Sequence, residues 1–262
     1  MLISGYSVWA VLFICLGVFV ASLIDAIGGG GGLISLPVYL MAGLPTHFAL
    51  GTNKLSACLG TTASTFRYIK KGYVNWPLAI PSVFLAIGGA YVGTSLQLLV
   101  NEDYLRWVLI VVLIIVAAVM LKKKDFPEEP GEIDLKKQRL IVWGTALIVG
   151  IYDGFYGPGT GTFLLIAFCR LAKMDLRTAS GNVKVVNLSS NVSAVITSLI
   201  AGTVLVPIGL IAAVFAFAGQ YVGAGLMLKN GSKIVTPVIL TVLGLLLLKI
   251  ILELFGVPQF TF

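Results

Sequence analysis

Two lysines, Lys54 and Lys184, lie inside apolar tracts, each about seven residues past the start of its tract. At about 1.5 Å per residue that is a depth of about 10 Å along a helix. A lysine at such depth in a bilayer costs about 2.5–3.5 kcal/mol and marks function by default. The plainer readings are snorkelling to the near interface or pairing with a buried acid. Two acids are at hand, Asp25 and Asp153, each just ahead of a glycine-rich stretch. The chemistry this set can do is the binding of a small anion. Two ammonium groups supply charge. Thr52 and Asn53 beside Lys54, and Asn182, Asn187 and Asn191 around Lys184, can hydrogen-bond oxyanion oxygens, or tie helices together. Asp25 and Asp153 are the candidates for coupling to a proton or cation, because burial and nearby charge move a carboxylate's proton affinity. They serve equally well as fixed partners of the lysines.

The glycines themselves belong to the same set. Gly28 to Gly32 form an unbroken run, and Gly157-Pro158-Gly159-Thr160-Gly161 is a second version of it. Each glycine costs about 1 kcal/mol against alanine in a helix interior, and the proline removes a backbone donor. Both stretches are therefore expected to break their helices. Broken backbone at membrane depth is tolerated where it is buried or lines a cavity. The short helices that follow, near Leu33 and Phe163, would turn their N-terminal N–H groups toward the breaks. Gly30, Gly31, Gly32, Gly159 and Gly161 then let an anion approach the backbone. Close packing of small residues is the simpler alternative.

What must position these groups is a bundle of membrane helices. The chain has 262 residues, 58% hydrophobic and 11% charged, with a mean hydropathy of +1.01. These values place it among integral membrane proteins. Apolar tracts run over 8–27, 47–69, 76–100 and 104–121. The charged stretch 122–139 (KKKDFPEEPGEIDLKKQR) follows as a linker. Tracts over 140–156, 179–200, 207–227 and 236–255 complete the order, with short pieces at 33–41 and 163–171 after the glycine breaks. The second half repeats the first. A shift of 130 places Ala49, Gly51 and Lys54 on Ala179, Gly181 and Lys184. It also places Gly89, Tyr91 and Gly93 on Gly219, Tyr221 and Gly223. Such internal duplication is the layout of many secondary transporters.

Charge in the loops sets the orientation of the halves. Arg67, Lys70 and Lys71 face an uncharged turn at Gly202. The acidic turn Asn101–Asp103 faces Lys229 and Lys233. The uncharged turn at Gly43 faces Arg170, Lys173 and Arg177. Opposite loop charge means opposite orientation. The expected architecture is an all-α polytopic membrane protein whose pseudo-symmetric halves form an inverted repeat. Each half is a Gly-broken segment, re-entrant or in two short pieces, plus three transmembrane helices. Residues 1–121 are the first repeat, 122–139 a cytoplasmic linker and 140–262 the second repeat. The competing arrangement, four crossings per half in parallel, would put the basic residues near Lys173 outside.

Several classes are excluded. The net charge of +7 reads as membrane topology, and no basic patch interleaved with aromatics points to nucleic acid. Cys15, Cys58 and Cys169 are scattered and His47 is the lone histidine, so neither a metal site nor a disulfide framework is expected, and no cofactor is implied. No phosphate-binding G-x-x-x-x-G-K-[ST] loop is present. The N-terminal apolar tract reads as a retained membrane segment. His47 and Arg67 read as interfacial. Cys58, one turn from Lys54, keeps a membrane enzyme in view as a third class, after a carrier and a passive anion channel.

The pattern of a glycine run, Leu33-Ile34-Ser35-Leu36-Pro37, then Gly43-Leu44 and Ala49-Leu50-Gly51-Thr52-Asn53-Lys54, weaker in the second half, resembles the TauE/SafE family of sulfite-exporter-like membrane proteins. The resemblance covers nearly the whole chain. It implies transport of small sulfur-containing anions (sulfite, thiosulfate or organosulfonates) across the bacterial cytoplasmic membrane. The second half departs from the first at Gly159-Thr160-Gly161 and at Asn182-Val183-Lys184. The expected partners are a small anionic substrate, the lipid bilayer and a coupling proton or cation. Homo-oligomerisation is left open.

Overall fold

The computed structural model describes residues 2–101, 104, 126–235 and 237–238. The tracts expected over 104–121 and 236–255 lie outside the described residues but for a few positions. A two-residue hairpin, β1 (Leu2–Ile3) with β2 (Tyr6–Ser7), precedes the first helix. Ser7 then caps that helix by accepting from the Ala10 N–H at 3.1 Å, which satisfies an otherwise orphan donor.

Among the described residues eight α-helices follow: α1 (Val8–Gly28), α2 (Gly32–Met41), α3 (Thr46–Lys70), α4 (Trp76–Leu99), α5 (Leu135–Phe155), α6 (Thr160–Ile166), α7 (Leu176–Ile200) and α8 (Val206–Asn230). A π-helical turn, Ala167–Leu171, continues α6. The expected breaks fall where the glycines stand. Asp134 caps α5 through the N–H groups of Lys136 and Lys137, so α5 starts inside the charged stretch that reads as linker.

Four of these helices, α1, α4, α7 and α8, are long and apolar enough to cross a membrane. Their outward faces carry bare hydrophobics, among them Phe84, Ile196 and Val214. Helix α3 is as long as α7 and turns Thr52, Asn53, Lys54, Ser56 and Thr61 inward. The chain is a multi-pass, all-helical membrane protein.

Helix directions follow from the contacts. Helix α2 runs back along α1, with Gly31 against Ala21 and Val38 against Gly17. Helix α6 runs back along α5, with Phe163 beside Tyr152 and Gln138 donating to the Ala172 carbonyl. The expectation of free N–H groups around the first break is corrected at Gly31, whose N–H is held by Asp25. Helices α3 and α7 cross antiparallel: Lys54 meets Asn191, and Thr65 donates to the Lys184 carbonyl.

The halves grip each other reciprocally. Gly89 and Gly93 of α4 lie on the backbone of α5, and Gly219 and Gly223 of α8 lie on that of α1. Gly51 lies on Thr203, and Gly181 on Tyr73. In each case a Cβ would overlap the facing backbone, so only glycine permits the approach. The glycine repeats seen in the sequence are thus the surfaces by which each half holds the other.

Candidate functional site

The two glycine breaks meet at the centre of the bundle. Gly29, with φ +75°, lies against the backbone of Gly161 and Thr162. Thr162 Oγ1 donates to the Gly28 carbonyl at 2.9 Å. A positive φ is open to glycine at little cost, and any side chain at Gly29 would also strike the opposite break.

Around this junction the charged residues pair across the halves. Lys54 Nζ of α3 lies 2.8 Å from Asp153 Oδ1 of α5. Lys184 Nζ of α7 lies 2.8 Å from Asp25 Oδ2 of α1, and donates also to the Asp25 carbonyl at 2.7 Å. Both lysines are buried. Each aspartate has further donors. Asp153 accepts from Thr160 Oγ1 at 2.8 Å and Ser190 Oγ at 2.6 Å. Asp25 accepts from Gln220 Nε2 at 2.8 Å and from the Gly31 N–H at 3.2 Å. Removal of a charge from water is costly unless it is paired and its remaining valences are filled. These side chains meet that condition.

A cavity of about 50 Å³ sits among them, lined by Asp25, Asn53, Lys54, Asp153, Asn187 and Asn191, with backbone from Gly31, Gly32, Gly157 and Gly161. One water needs about 10–15 Å³ of such space, so the cavity suits a few waters or one small ion. The structure therefore brings together most of the residues singled out in the sequence. Lys184 stands behind Asp25 and does not itself line the cavity. Thr52, Asn182, Gly30 and Gly159 do not line it either. Thr52 Oγ1 accepts from the Leu205 N–H, which ties α3 to the start of α8, and Asn182 Nδ2 donates to the Thr178 carbonyl within α7. Gly30 and Gly159, with φ +86° and +87°, shape the breaks. Cys58 is also outside the lining.

Sequence reading missed Ser22, Ser35, Ser56, Thr160, Ser190 and Gln220, which line the cavity or hold its acids. Thr160 could have been found, because it interrupts the second glycine run. Gln220 stands where the repeat has Ala90 in the first half, a difference visible only once the halves are aligned. No group of three or more metal-ligating side chains occurs among the described residues.

The fold and the site together define a polytopic helical membrane protein with a small charged cavity where its two halves meet. The chain belongs to the TauE/SafE family: the model described as "Sulfite exporter TauE/SafE" matches residues 13–250. It is 34% identical over 233 residues to a probable membrane transporter protein, ORF9, of Sinorhizobium sp, covering 88% of each chain. It is 34% identical over 257 residues to a probable membrane transporter protein of Haemophilus influenzae, covering 95% of this chain and 96% of that one. The similarity to the probable membrane transporter protein YfcA of Escherichia coli K12 is 32% over 240 residues, 90% of this chain and 87% of that one. No solved structure matches significantly. The family and these relatives indicate a membrane transporter.

Proposed function

We propose that this protein is a secondary transporter that moves a small sulfur-containing oxyanion across the bacterial cytoplasmic membrane by alternating access. The observation that carries the reading is the crossed pairing of Lys54 with Asp153 and of Lys184 with Asp25 around one buried cavity. The family's description supplies the sulfur oxyanion. Lys54, Asn53, Asn187, Asn191 and the glycine backbone at Gly31, Gly32 and Gly161 are the groups that would meet its oxygens. Lys184 acts from behind Asp25. Asp25 and Asp153 are where a proton or cation would couple by competing with a lysine.

The halves are read as an inverted repeat. Supporting this, the equivalent helices α3 and α7 are antiparallel. The basic ends also converge. Lys70 and Lys71 end α3 beside the start of α7, where Lys173 and Arg177 lie, and Glu128 joins Arg177 to the end of α8. Under the positive-inside rule that end is cytoplasmic. In an inverted repeat the inward-open and outward-open states are near-equivalent packings of the same contacts. Alternation then needs only that one half rock against the other about the fixed site.

The test is uptake of labelled sulfite, thiosulfate and an organosulfonate into proteoliposomes, with and without a pH gradient. Flux of at least one is expected, and it should be lost in the Lys54→Ala, Lys184→Ala double variant. Absence of flux for every oxyanion, or full flux in the double variant, refutes the reading.

A further inference from the structure

We infer that the cavity takes its oxyanion in the singly protonated, singly charged form, with Gln220 Oε1 accepting the cargo's own proton. This rests on the transport reading above and adds the protonation state of the cargo. Two independent observations carry it.

The first is charge. The charged groups facing the cavity or standing directly behind it are Asp25 on α1, Lys54 on α3, Asp153 on α5 and Lys184 on α7. Among the described residues of α2, α6 and α8, none adds a charge there. These four sum to zero. An anion that enters meets no surplus cation, so its desolvation is offset by local dipoles and by one lysine shared with Asp153. The self-energy of an ion in a medium of low polarity rises with the square of its charge. A doubly charged oxyanion therefore pays four times the penalty of a singly charged one of the same size. A neutral site of paired charges selects the monoanion.

The second is an unmatched acceptor. Gln220 is 3% exposed and lines the cavity. Its Nε2 donates to Asp25 Oδ2 at 2.8 Å, which fixes the orientation of the amide, because the flipped amide would set oxygen against oxygen. Its Oε1 has no hydrogen-bond partner. A buried acceptor left unmatched is a standing cost that calls for a partner. The repeat does not require it, since the equivalent residue in the first half is Ala90. The two carboxylates at the cavity, Asp25 and Asp153, already hold three donors each, and Asn187 Oδ1 and Asn191 Oδ1 accept from Asn191 and Lys54. Gln220 Oε1 is thus the place for a hydrogen carried in by the ligand, while Lys54 and the asparagines meet its bare oxygens. One consequence is that a proton accompanies every anion moved, in addition to any proton or cation that couples at Asp25 or Asp153.

The experiment measures initial uptake by the full-length protein in proteoliposomes, at equal pH inside and out. The pH is stepped from one unit below to one unit above the second ionisation of sulfite. Three cargoes are compared. Sulfite changes from monoanion to dianion over this range, sulfate stays doubly charged, and methanesulfonate stays singly charged but has no hydrogen to donate. Methanesulfonate also reports the protein's own response to pH. Sulfite uptake, corrected for that response, is expected to fall in proportion to its monoanion fraction. Sulfate is expected to be excluded, and methanesulfonate to be carried roughly tenfold less well than the sulfite monoanion or worse. Gln220→Met, which keeps the length and removes the acceptor, should bring sulfite down to the rate of methanesulfonate. Uptake that tracks total sulfite regardless of pH, sulfate carried as well as sulfite, or an unchanged sulfite-to-methanesulfonate ratio in Gln220→Met overturns the inference and leaves the transport reading standing. No flux of any of the three at any pH defeats the transport reading, and the inference with it. The comparison of cargoes on the unaltered protein decides the matter even where the variant does not fold.

Discussion

Lys54 Nζ and Asp153 Oδ1 stand 2.8 Å apart although 99 residues separate them in the chain, and each belongs to a different half. The mirrored pair, Lys184 with Asp25, has the same length. A lysine that would be prohibitive alone in the membrane is thereby neutralised by the other half. The halves cannot separate without exposing two unpaired charges on each side.

Removing one member of such a pair leaves an uncompensated buried charge, which costs about 3–5 kcal/mol. Asp153→Leu and Lys54→Met alone should each lower the unfolding temperature of the detergent-solubilised protein sharply. The double variant should be more stable than either single one. Additive losses in the double variant would show that the two side chains do not act as a pair.

The glycine breaks separate two kinds of constraint. Gly161→Ala would set a methyl 2.9 Å from the Gly29 Cα, too close for any rotamer to relieve. Gly43 has φ +89° but open space around it. Gly43→Ala should cost only backbone strain, about 1–2 kcal/mol, with folding retained, whereas Gly161→Ala should prevent correct assembly. Size-exclusion profiles and thermal melts of the two proteins compare them directly.

Orientation is open to labelling. With Cys15, Cys58 and Cys169 replaced by alanine, single cysteines at Pro45 and Lys173 should react with an impermeant thiol reagent from opposite sides of the membrane. Labelling of both from one side contradicts the inverted repeat.

Arg67 clamps α3 to α8. Its Nη1 donates to the Tyr221 carbonyl at 2.7 Å and its guanidinium lies 4.3 Å from the Tyr221 ring centre. The equivalent position in the other half is Thr197, which has no such group. Arg67→Lys keeps the charge but loses the planar stacking, and should cost about 1 kcal/mol in thermal unfolding. Thr197→Ala should be near neutral. Equal effects would assign the clamp no special strength.

Glu128 ties the segment before α5 to the end of α8. Its carboxylate accepts from the Ser232 N–H at 2.8 Å and lies 3.6 Å from Arg177. The Ser232 hydrogen bonds, with Arg177 adding to them, hold its carboxyl below the ordinary value of 4.5. A carboxyl whose folded value is depressed adds stability that is present above the unfolded value and is lost as pH falls through the folded one. Proteolysis of the 126–134 segment should therefore be slow at neutral pH and faster as pH drops below 4.5. In Glu128→Gln the segment should be more susceptible at neutral pH, and acid should change it less. The group is half exposed, so the effect is small.

Much of this was legible in the sequence because it is local. Apolar runs gave the helices to within a few residues at most ends, since the depth of a bilayer and the rise of a helix set their length. Lys54, Lys184, Asp25 and Asp153 stood out because ionisable residues are rare in such runs. The glycine breaks stood out because no helix interior favours them. Thr52 could not be told from its neighbour Asn53, since one residue of helix rotation, about 100°, decides which of them reaches the cavity, nor Asn182 from Asn187 on the same helix, because the sequence does not say where the cavity lies.

By itself the sequence determined the membrane class, the duplication, the breaks and the four buried charges. Each follows from spacing, composition or the cost of placing a residue type in an apolar run. Only the tertiary structure decided that each lysine takes the acid of the opposite half, that the two breaks touch at Gly29 and Gly161, and that Gln220 stands at the site with one unmatched oxygen. Those are contacts between segments up to 195 residues apart. They are fixed by which helix faces can approach closely enough to exclude water, and no local pattern in the chain encodes that choice.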